Sequence, residues 1–201
     1  MNVILALLLA YLCGAIPFGY LLVRFATGRD VRAAGSGNIG ATNVLRTTGR
    51  AAGFATLLLD IGKGFVALWL ASRLTGGSAL WMSAAALAVM AGHAFPVFLR
   101  FQGGKAVASC VGAFLFLTPL PLAAVLAVFV ITVAVTRYIS LASVLSAGTL
   151  PLAVWLISHP PAPVVVAALA AGGFTIWRHK ANLQRLRAGK EHVFSLGRRR
   201  P

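Results

Sequence analysis

The sequence predicts an all-α, polytopic membrane protein of about seven transmembrane helices, and three observations lead to that fold class. Of its 201 residues, 59% are hydrophobic and only 10% are charged, against about a quarter charged in an ordinary soluble domain. Mean hydropathy is +0.89, so a soluble fold of this size would lack the polar material to cover its surface. Apolar stretches recur from end to end, each approaching the roughly twenty residues that cross a bilayer. The chain therefore reads as one integral-membrane domain over 1–201, without room for a separate soluble module.

Charge sets the number and direction of the spans. Apolar segments lie at 3–23, 52–72, 79–99, 106–118, 120–136, 139–158 and 162–177. The first has no basic residue before it and runs too long for the apolar core of a cleaved leader, so it reads as a span. The fourth is short, and Thr118, Pro119, Leu120 and Pro121 alone separate it from the fifth, which leaves one long kinked span as the alternative. With seven spans, Arg24, Arg29, Arg32, Arg46, Arg50, Arg100, Lys105, Arg137 and every basic residue from Arg178 onward share one side. Arg73 then stands alone on the other, and six spans would cancel this bias. The positive-inside rule predicts seven spans of an inner-membrane protein, with the N-terminus outside and the C-terminus in the cytoplasm.

Lys and Arg total 18 against 3 acidic residues, a formal charge of +15. The basic residues alternate with apolar segments, which points to anionic headgroups and anionic substrates and away from nucleic acid. Cys13 and Cys110 lie in apolar stretches with no ligand cluster around them, so they read as buried thiols, with neither a disulfide framework nor a metal site. Runs such as Ala84-Ala85-Ala86 and Ala170-Ala171-Gly172-Gly173 suit close helix packing. Pro17 and Pro96 interrupt apolar runs and should free backbone groups there. Asp60 and Lys63 stand three apart in the second segment. Each costs about 2.5–3.5 kcal/mol at the bilayer centre, which predicts an interior-facing ion pair.

Three polar constellations map to the cytoplasmic face. The first runs from Ala34 to Arg46. Gly35, Gly37 and Gly40 let backbone N–H groups converge on an anion. Ser36, Asn38, Thr42 and Asn43 add neutral partners, and Arg46 adds a fork-shaped cation suited to phosphate. The G-x-G-x-x-G spacing is no dinucleotide site, because no βαβ unit fits between two spans; a flexible turn is the plain alternative. The second joins Gly92-His93-Ala94-Phe95-Pro96 to Arg100-Phe101-Gln102-Gly103-Gly104-Lys105. A glycine pair before a lysine at a helix start suits a small phosphate nest, or else a positive anchor on a tight turn. His93 is either a core histidine or a catalytic one. The third is the tail from Arg178 to Glu191. A helix there sets His179, Asn182 and Leu186 on one face. Its basic side chains, with Arg198, Arg199 and Arg200 above all, suit anionic lipid, and Glu191 is a lone acid able to orient a cation.

These blocks together resemble the bacterial acyl-phosphate-dependent glycerol-3-phosphate acyltransferases. The likeness covers almost the whole chain: PFGY at 17–20, GSGNIGATNVLRTTG at 35–49, LLLDIGKG at 57–64, GHAFPVFLRFQGGKAVA at 92–108 and HKANLQRLRAGKE at 179–191. The resemblance implies transfer of a fatty acyl group from acyl phosphate to the 1-hydroxyl of sn-glycerol 3-phosphate. The products would be 1-acyl-sn-glycerol 3-phosphate (lysophosphatidate) and phosphate, formed in phospholipid synthesis with no cofactor, acyl carrier protein or coenzyme A. The His-x4-Asp motif of soluble-domain acyltransferases is missing, since Phe98 holds the fifth position after His93.

On that chemistry, Ser36 and the glycines Gly35, Gly37 and Gly40 bind a phosphate, with Arg46 and Lys105 neutralising it. Gly103 and Gly104 allow backbone approach to glycerol 3-phosphate, His179 and Asn182 position substrate, and Glu191 holds the tail. Cations aimed at the leaving phosphate and the developing oxyanion would supply the main stabilisation. The proton acceptor stays open among His179, His93, Asp60, Glu191 and a substrate phosphate oxygen. The last is preferred, because the tail has no acid at triad spacing to orient an imidazole. A Ser36 acyl-enzyme is unattractive because acyl phosphate is already activated. Composition alone would also suit a transporter or channel for an organic anion, but the polar constellations gather on one face.

Overall fold

The computed structural model describes residues 2–195, and among them all regular structure is helical. The run Arg198, Arg199 and Arg200, expected to anchor to lipid, lies outside the described residues. The helices are α1 Val3–Ala15, α2 Phe18–Thr27, α3 Ala41–Thr47, α4 Arg50–Thr75, α5 Ala79–Ala94, α6 Val107–Leu117, α7 Pro119–Thr136, α8 Ile139–Ser158, α9 Ala162–Arg178 and α10 Lys180–Arg187. They fall into two compact units, divided in sequence between Leu117 and Thr118.

Five stretches are long and apolar enough to cross a membrane: Val3–Thr27, Arg50–Thr75, Ala79–Leu99, Pro119–Thr136 and Ile139–Ser158. Val107–Leu117 and Ala162–Arg178 are apolar but shorter. Every apolar segment read from the sequence is thus helical. The fourth and fifth are separate helices, because the chain leaves helical geometry at Thr118 (φ −147°, ψ 72°). Pro119 and Pro121 then open α7, where missing N–H groups cost nothing. α6 rises only about 16 Å at 1.5 Å per residue, roughly half the hydrocarbon thickness.

In the first unit, two of the helix crossings close enough to require glycine join α1 to α5 and α4 to α6. α1 meets α5 where a Cβ on Gly14 would lie 2.1 Å from the Val89 carbonyl oxygen, and one on Gly92 2.1 Å from that of Tyr11. α4 meets α6 in the same way: a Cβ on Gly64 would lie 2.3 Å from the Ser109 oxygen, and one on Gly112 1.9 Å from that of Ile61. In lipid, such close approach replaces the hydrophobic driving force between helices. Ala6, Ala10, Ala67, Leu68, Ala85, Val89 and Ala113 fill the space between the crossings.

Pro17 acts as expected. With no N–H to offer the preceding turn, it ends α1 at Ala15 and caps α2. The released Ile16 carbonyl accepts a hydrogen bond from Lys63 Nζ at 2.8 Å. Pro96 has the same effect after α5, and the Phe95 carbonyl accepts from Tyr11 Oη at 2.8 Å. Both thiols are free, with Cys110 buried.

In the second unit, α7, α8 and α9 pack in sequence order. Ser146 Oγ donates from α8 to the Val125 carbonyl of α7 at 3.3 Å. Pro151, inside α8, removes the N–H that would bind the Ala147 carbonyl. Gly172 of α9 lies against that oxygen, where a Cβ would come within 2.4 Å. The Arg178 and Lys180 cations rest 5.8 Å from the Trp177 ring, a pairing suited to a membrane–water boundary.

Gly112→Ala should therefore lower the melting temperature of the purified protein by about 5 °C, because backbone must yield to the new methyl. Gly62→Ala, on α4 with no neighbour within 4 Å, should leave it unchanged or raise it through helix propensity.

Candidate active site

The loop between α2 and α3 is organised by two amide side chains. Asn38 Oδ1 accepts the Gly40 N–H at 2.8 Å, an Asx turn. The Gly40 carbonyl then accepts the Asn43 and Val44 N–H groups at 3.0 and 3.2 Å, opening α3. This geometry points Asn43 inward, where it is 2% exposed. Its Nδ2 donates to the carbonyls of Val31 (3.2 Å), Ala34 (3.1 Å) and Asn38 (2.9 Å), and its Oδ1 accepts the Ser36 N–H at 2.9 Å. Gly35 and Gly37 take φ of 62° and 71°, a region that side chains avoid. Gly35 also lacks room, since a Cβ would lie 2.2 Å from Asn43 Oδ1. The loop so built leaves Ser36 and Arg46 exposed at its surface.

Arg32 belongs to the scaffold of this loop. Its guanidinium pairs with Asp30 at 2.7 Å and lies 5.3 Å from the Tyr20 ring. The hydrogen bond from Arg32 holds the Asp30 carboxyl below its ordinary pKa. Beside the loop opens a cleft of about 850 Å³ whose lining includes Arg24, Thr27, Arg29, Asp30, Thr47 and Thr48.

The turn before α6 is strained. Arg100, Phe101 and Ala106 adopt φ of 51°, 62° and 61°, each costing a non-glycine residue about 1–3 kcal/mol. Hydrogen bonds hold it: Phe101 N–H to the Pro96 carbonyl at 2.9 Å, Gln102 to Leu99 at 3.1 Å and Gly104 to His93 at 3.0 Å. Gly103 and Gly104 do not have positive φ. Their need for glycine is steric: a Cβ on Gly103 would lie 2.2 Å from the His93 carbonyl oxygen, and one on Gly104 2.1 Å from His93 Nε2. The His93 backbone and ring thus crowd the two glycines. Lys105 follows, half-buried, near the N-terminal N–H groups of α6, which favour an anion.

His93 stands behind this turn, 3% exposed. Its Nδ1 is 3.3 Å from Ser109 Oγ and 3.7 Å from Asp60 Oδ1. Asp60 and Lys63 form the expected buried ion pair at 2.8 Å.

In the second unit, the helix breaks between α9 and α10 at His179. Its Nδ1 lies 2.8 Å from the Thr175 carbonyl oxygen. A carbonyl can only accept, so Nδ1 carries the proton and Nε2 is the basic nitrogen of the neutral ring. His179 and Asn182 are both buried on the inner side, at 3% and 7% exposure, as their spacing of three predicts. The Gly189 N–H bonds the Leu186 carbonyl and the Lys190 N–H that of Arg185, turning the chain back after α10. Glu191 then accepts from Asn182 Nδ2 at 2.7 Å and Arg185 Nε at 2.8 Å. Burial pushes its pKa up, but the hydrogen bonds from Asn182 and Arg185 outweigh burial and hold it below the usual range. The clamp is therefore complete above the ordinary carboxylate pKa and weakens as pH falls through the lowered value.

The first unit thus carries Gly35, Ser36, Gly37, Asn38, Gly40, Thr42, Asn43, Arg46, Gly103, Gly104 and Lys105, and the second carries His179, Asn182 and Glu191. The sequence reading missed the inward role of Asn43 and the partnership of His93 with Ser109. No local signal pairs Ser109 with His93, which stands sixteen residues earlier in the chain.

Asn43→Asp keeps the side chain's size and its acceptor for Ser36, but removes three donor contacts. Losing buried donors at about 1–3 kcal/mol should speed trypsin cleavage at Arg32 or Arg46 by roughly tenfold. Digestion followed by mass spectrometry checks this.

Residues 4–189 match the family model described as glycerol-3-phosphate acyltransferase. The glycerol-3-phosphate acyltransferase of Desulforamulus reducens is 45% identical over 95% of this chain and 94% of its own. That of Geobacter sulfurreducens is 45% identical over 96% and 98%, and that of a Jannaschia species 48% identical over 93% and 90%. Among solved structures, this chain is similar to PlsY (YgiH), an integral membrane glycerol 3-phosphate acyltransferase, in its glycerol 3-phosphate form. The TM-score is 0.91 at 34% identity, over 97% of this chain and 96% of that one. The lysophosphatidic acid form of PlsY gives 0.88 at 32% identity, over 98% and 97%. With its apolar helices and these full-length matches, the chain is a multi-pass integral membrane protein that belongs to the glycerol-3-phosphate acyltransferase family.

Proposed function

We propose that the protein transfers a fatty acyl group from acyl phosphate to the 1-hydroxyl of sn-glycerol 3-phosphate, at the cytoplasmic face of the bacterial inner membrane. The observation that carries this reading is the family match over residues 4–189. It crosses the division between the two units, which supports one acyltransferase domain over 1–201. The donor is supported by the motif resemblance and by two turns suited to anions in the first unit. Five long and two short apolar stretches, with the distribution of basic residues between them in the sequence, support seven spans, an outside N-terminus and a cytoplasmic C-terminus.

In this reaction the glycerol hydroxyl oxygen attacks the acyl carbonyl carbon and the carbon–oxygen bond to phosphate breaks. Phosphate departs with the electron pair, and the hydroxyl proton passes to a phosphate oxygen. Ser36, Asn38 and Thr42 hold a phosphate on the loop that Gly35, Gly37 and Gly40 shape, with Asn43 fixing it from beneath. Arg46 and Lys105 neutralise charge on the leaving phosphate and on the oxyanion. Gly103 and Gly104 keep the backbone slim beside Lys105. His179 and Asn182 position substrate, with Glu191 fixing the Asn182 amide. No metal ion or other cofactor enters the scheme.

Purified protein given palmitoyl phosphate should release phosphate only with glycerol 3-phosphate present, forming lysophosphatidate one-for-one. Release that ignores the acceptor, in folded protein, would sink the assignment. Ser36→Ala should lose more than about threefold in activity, and His179→Ala should retain measurable turnover if substrate phosphate takes the proton. Complete loss in His179→Ala with substrate affinity intact would make His179 the base.

A further inference from the structure

The buried cluster of His93, Asp60, Lys63 and Ser109 has no part in the chemistry just described, yet it lies directly behind the turn that presents Lys105. His93 touches that turn twice. Its carbonyl accepts the Gly104 N–H at 3.0 Å, and its ring edge at Nε2 occupies the space where a Gly104 side chain would begin, 2.1 Å away. The other ring edge faces inward, with Nδ1 3.3 Å from Ser109 Oγ on α6 and 3.7 Å from Asp60 Oδ1 on α4. Asp60 is itself fixed by Lys63 at 2.8 Å, and Lys63 by the Ile16 carbonyl at 2.8 Å. Three helices, the Ile16 carbonyl that follows α1 and one imidazole therefore define where the turn can sit. Gly104 has ordinary backbone torsion, so alanine there would be acceptable but for the ring.

We propose that His93 is a positioning residue for glycerol 3-phosphate binding. Its imidazole, braced by Asp60 and Ser109, sets the height of the Gly103–Gly104–Lys105 turn and with it the distance from Lys105 to the substrate phosphate. Bulk at position 104 and bulk at position 93 compete for one space, so substitutions at the two positions must be coupled. This inference rests on the reading of that turn as part of the glycerol 3-phosphate site.

The test is a double-mutant cycle of wild type, His93→Ala, Gly104→Ala and His93→Ala/Gly104→Ala, each purified in detergent. Melting temperature reads the contact itself, without substrate. KM for glycerol 3-phosphate and KM for palmitoyl phosphate read its consequence. Gly104→Ala should raise KM for glycerol 3-phosphate about tenfold in the wild-type background and less than about threefold in the His93→Ala background. KM for palmitoyl phosphate should stay within about twofold throughout. His93→Gln, which keeps bulk and hydrogen-bonding capacity, should recover part of the loss in His93→Ala and guards against an alanine variant that does not fold. Independent, multiplying effects of the two substitutions would overturn the inference. So would coupling seen in melting temperature with KM for glycerol 3-phosphate unmoved in an active enzyme. A folded wild type inactive toward glycerol 3-phosphate would overturn the functional reading and this inference together.

Discussion

The ion pair of Asp60 and Lys63, sealed inside the first unit, is the constraint to which the neighbouring structure conforms. Two charges away from water are tolerated only with close geometry and further polar partners. The 2.8 Å contact supplies the geometry. The partners come from elsewhere: the Ile16 carbonyl, released where Pro17 ends α1, and the Phe18 ring 5.7 Å from the ammonium. Gly64, next to Lys63, lets α4 approach the backbone of α6, and Gly112 answers it from the other side. That approach is what brings Ser109 within reach of His93 beside Asp60. A helix break, two glycines and a buried histidine are thus parts of one solution to a single charge problem.

The same unit separates polar groups that build from polar groups that face outward. Asn43 and His93 are buried, with hydrogen bonds to loop and helix neighbours. Ser36 and Arg46 are exposed on the frame those residues make, and Lys105 is half-buried. Strain is placed beside the frame as well. The turn that carries the positive-φ residues Arg100, Phe101 and Ala106 is tied by hydrogen bonds from Phe101 to Pro96 and from Gly104 to His93, an arrangement that suits a preorganised anion site. In the second unit, Glu191 accepts from the Asn182 side chain after the chain turns back from α10, as Asn43 on α3 accepts from the Ser36 backbone.

Much of this was legible in the sequence, for reasons that differ by element. Hydropathy revealed the apolar segments, five of them long enough to cross a membrane, because helices satisfy their own backbones in a bilayer. The break at Pro17 and the pairing of Asp60 with Lys63 were legible because both follow from local chemistry, a missing N–H and a three-residue spacing. The His179–Asn182 face followed from helical period in the same way. The partners of His93 were not legible, since Ser109 lies sixteen residues away and Asp60 on another helix, and a lone sequence carries no pairing information. Gly103 and Gly104 read in the sequence as a place of close backbone approach, and the histidine that crowds them is visible only in the fold. Asn43 and Ser36 looked alike as polar loop residues; the Asx turn at Asn38 decides that one points in and the other out.

If the ion pair is kept for placement of the turn at 103–105 more than for stability, stability and function should separate when it is replaced. The direct measurement is the melting temperature and glycerol 3-phosphate KM of Asp60→Leu/Lys63→Met, compared with wild type and each single substitution. Either single change strands a buried charge and should cost about 3–5 kcal/mol, whereas the apolar double replacement should recover most of that stability. The account predicts that the double variant melts near wild type yet binds glycerol 3-phosphate about tenfold more weakly, because His93 has lost its brace. A double variant with wild-type melting and wild-type KM would contradict it.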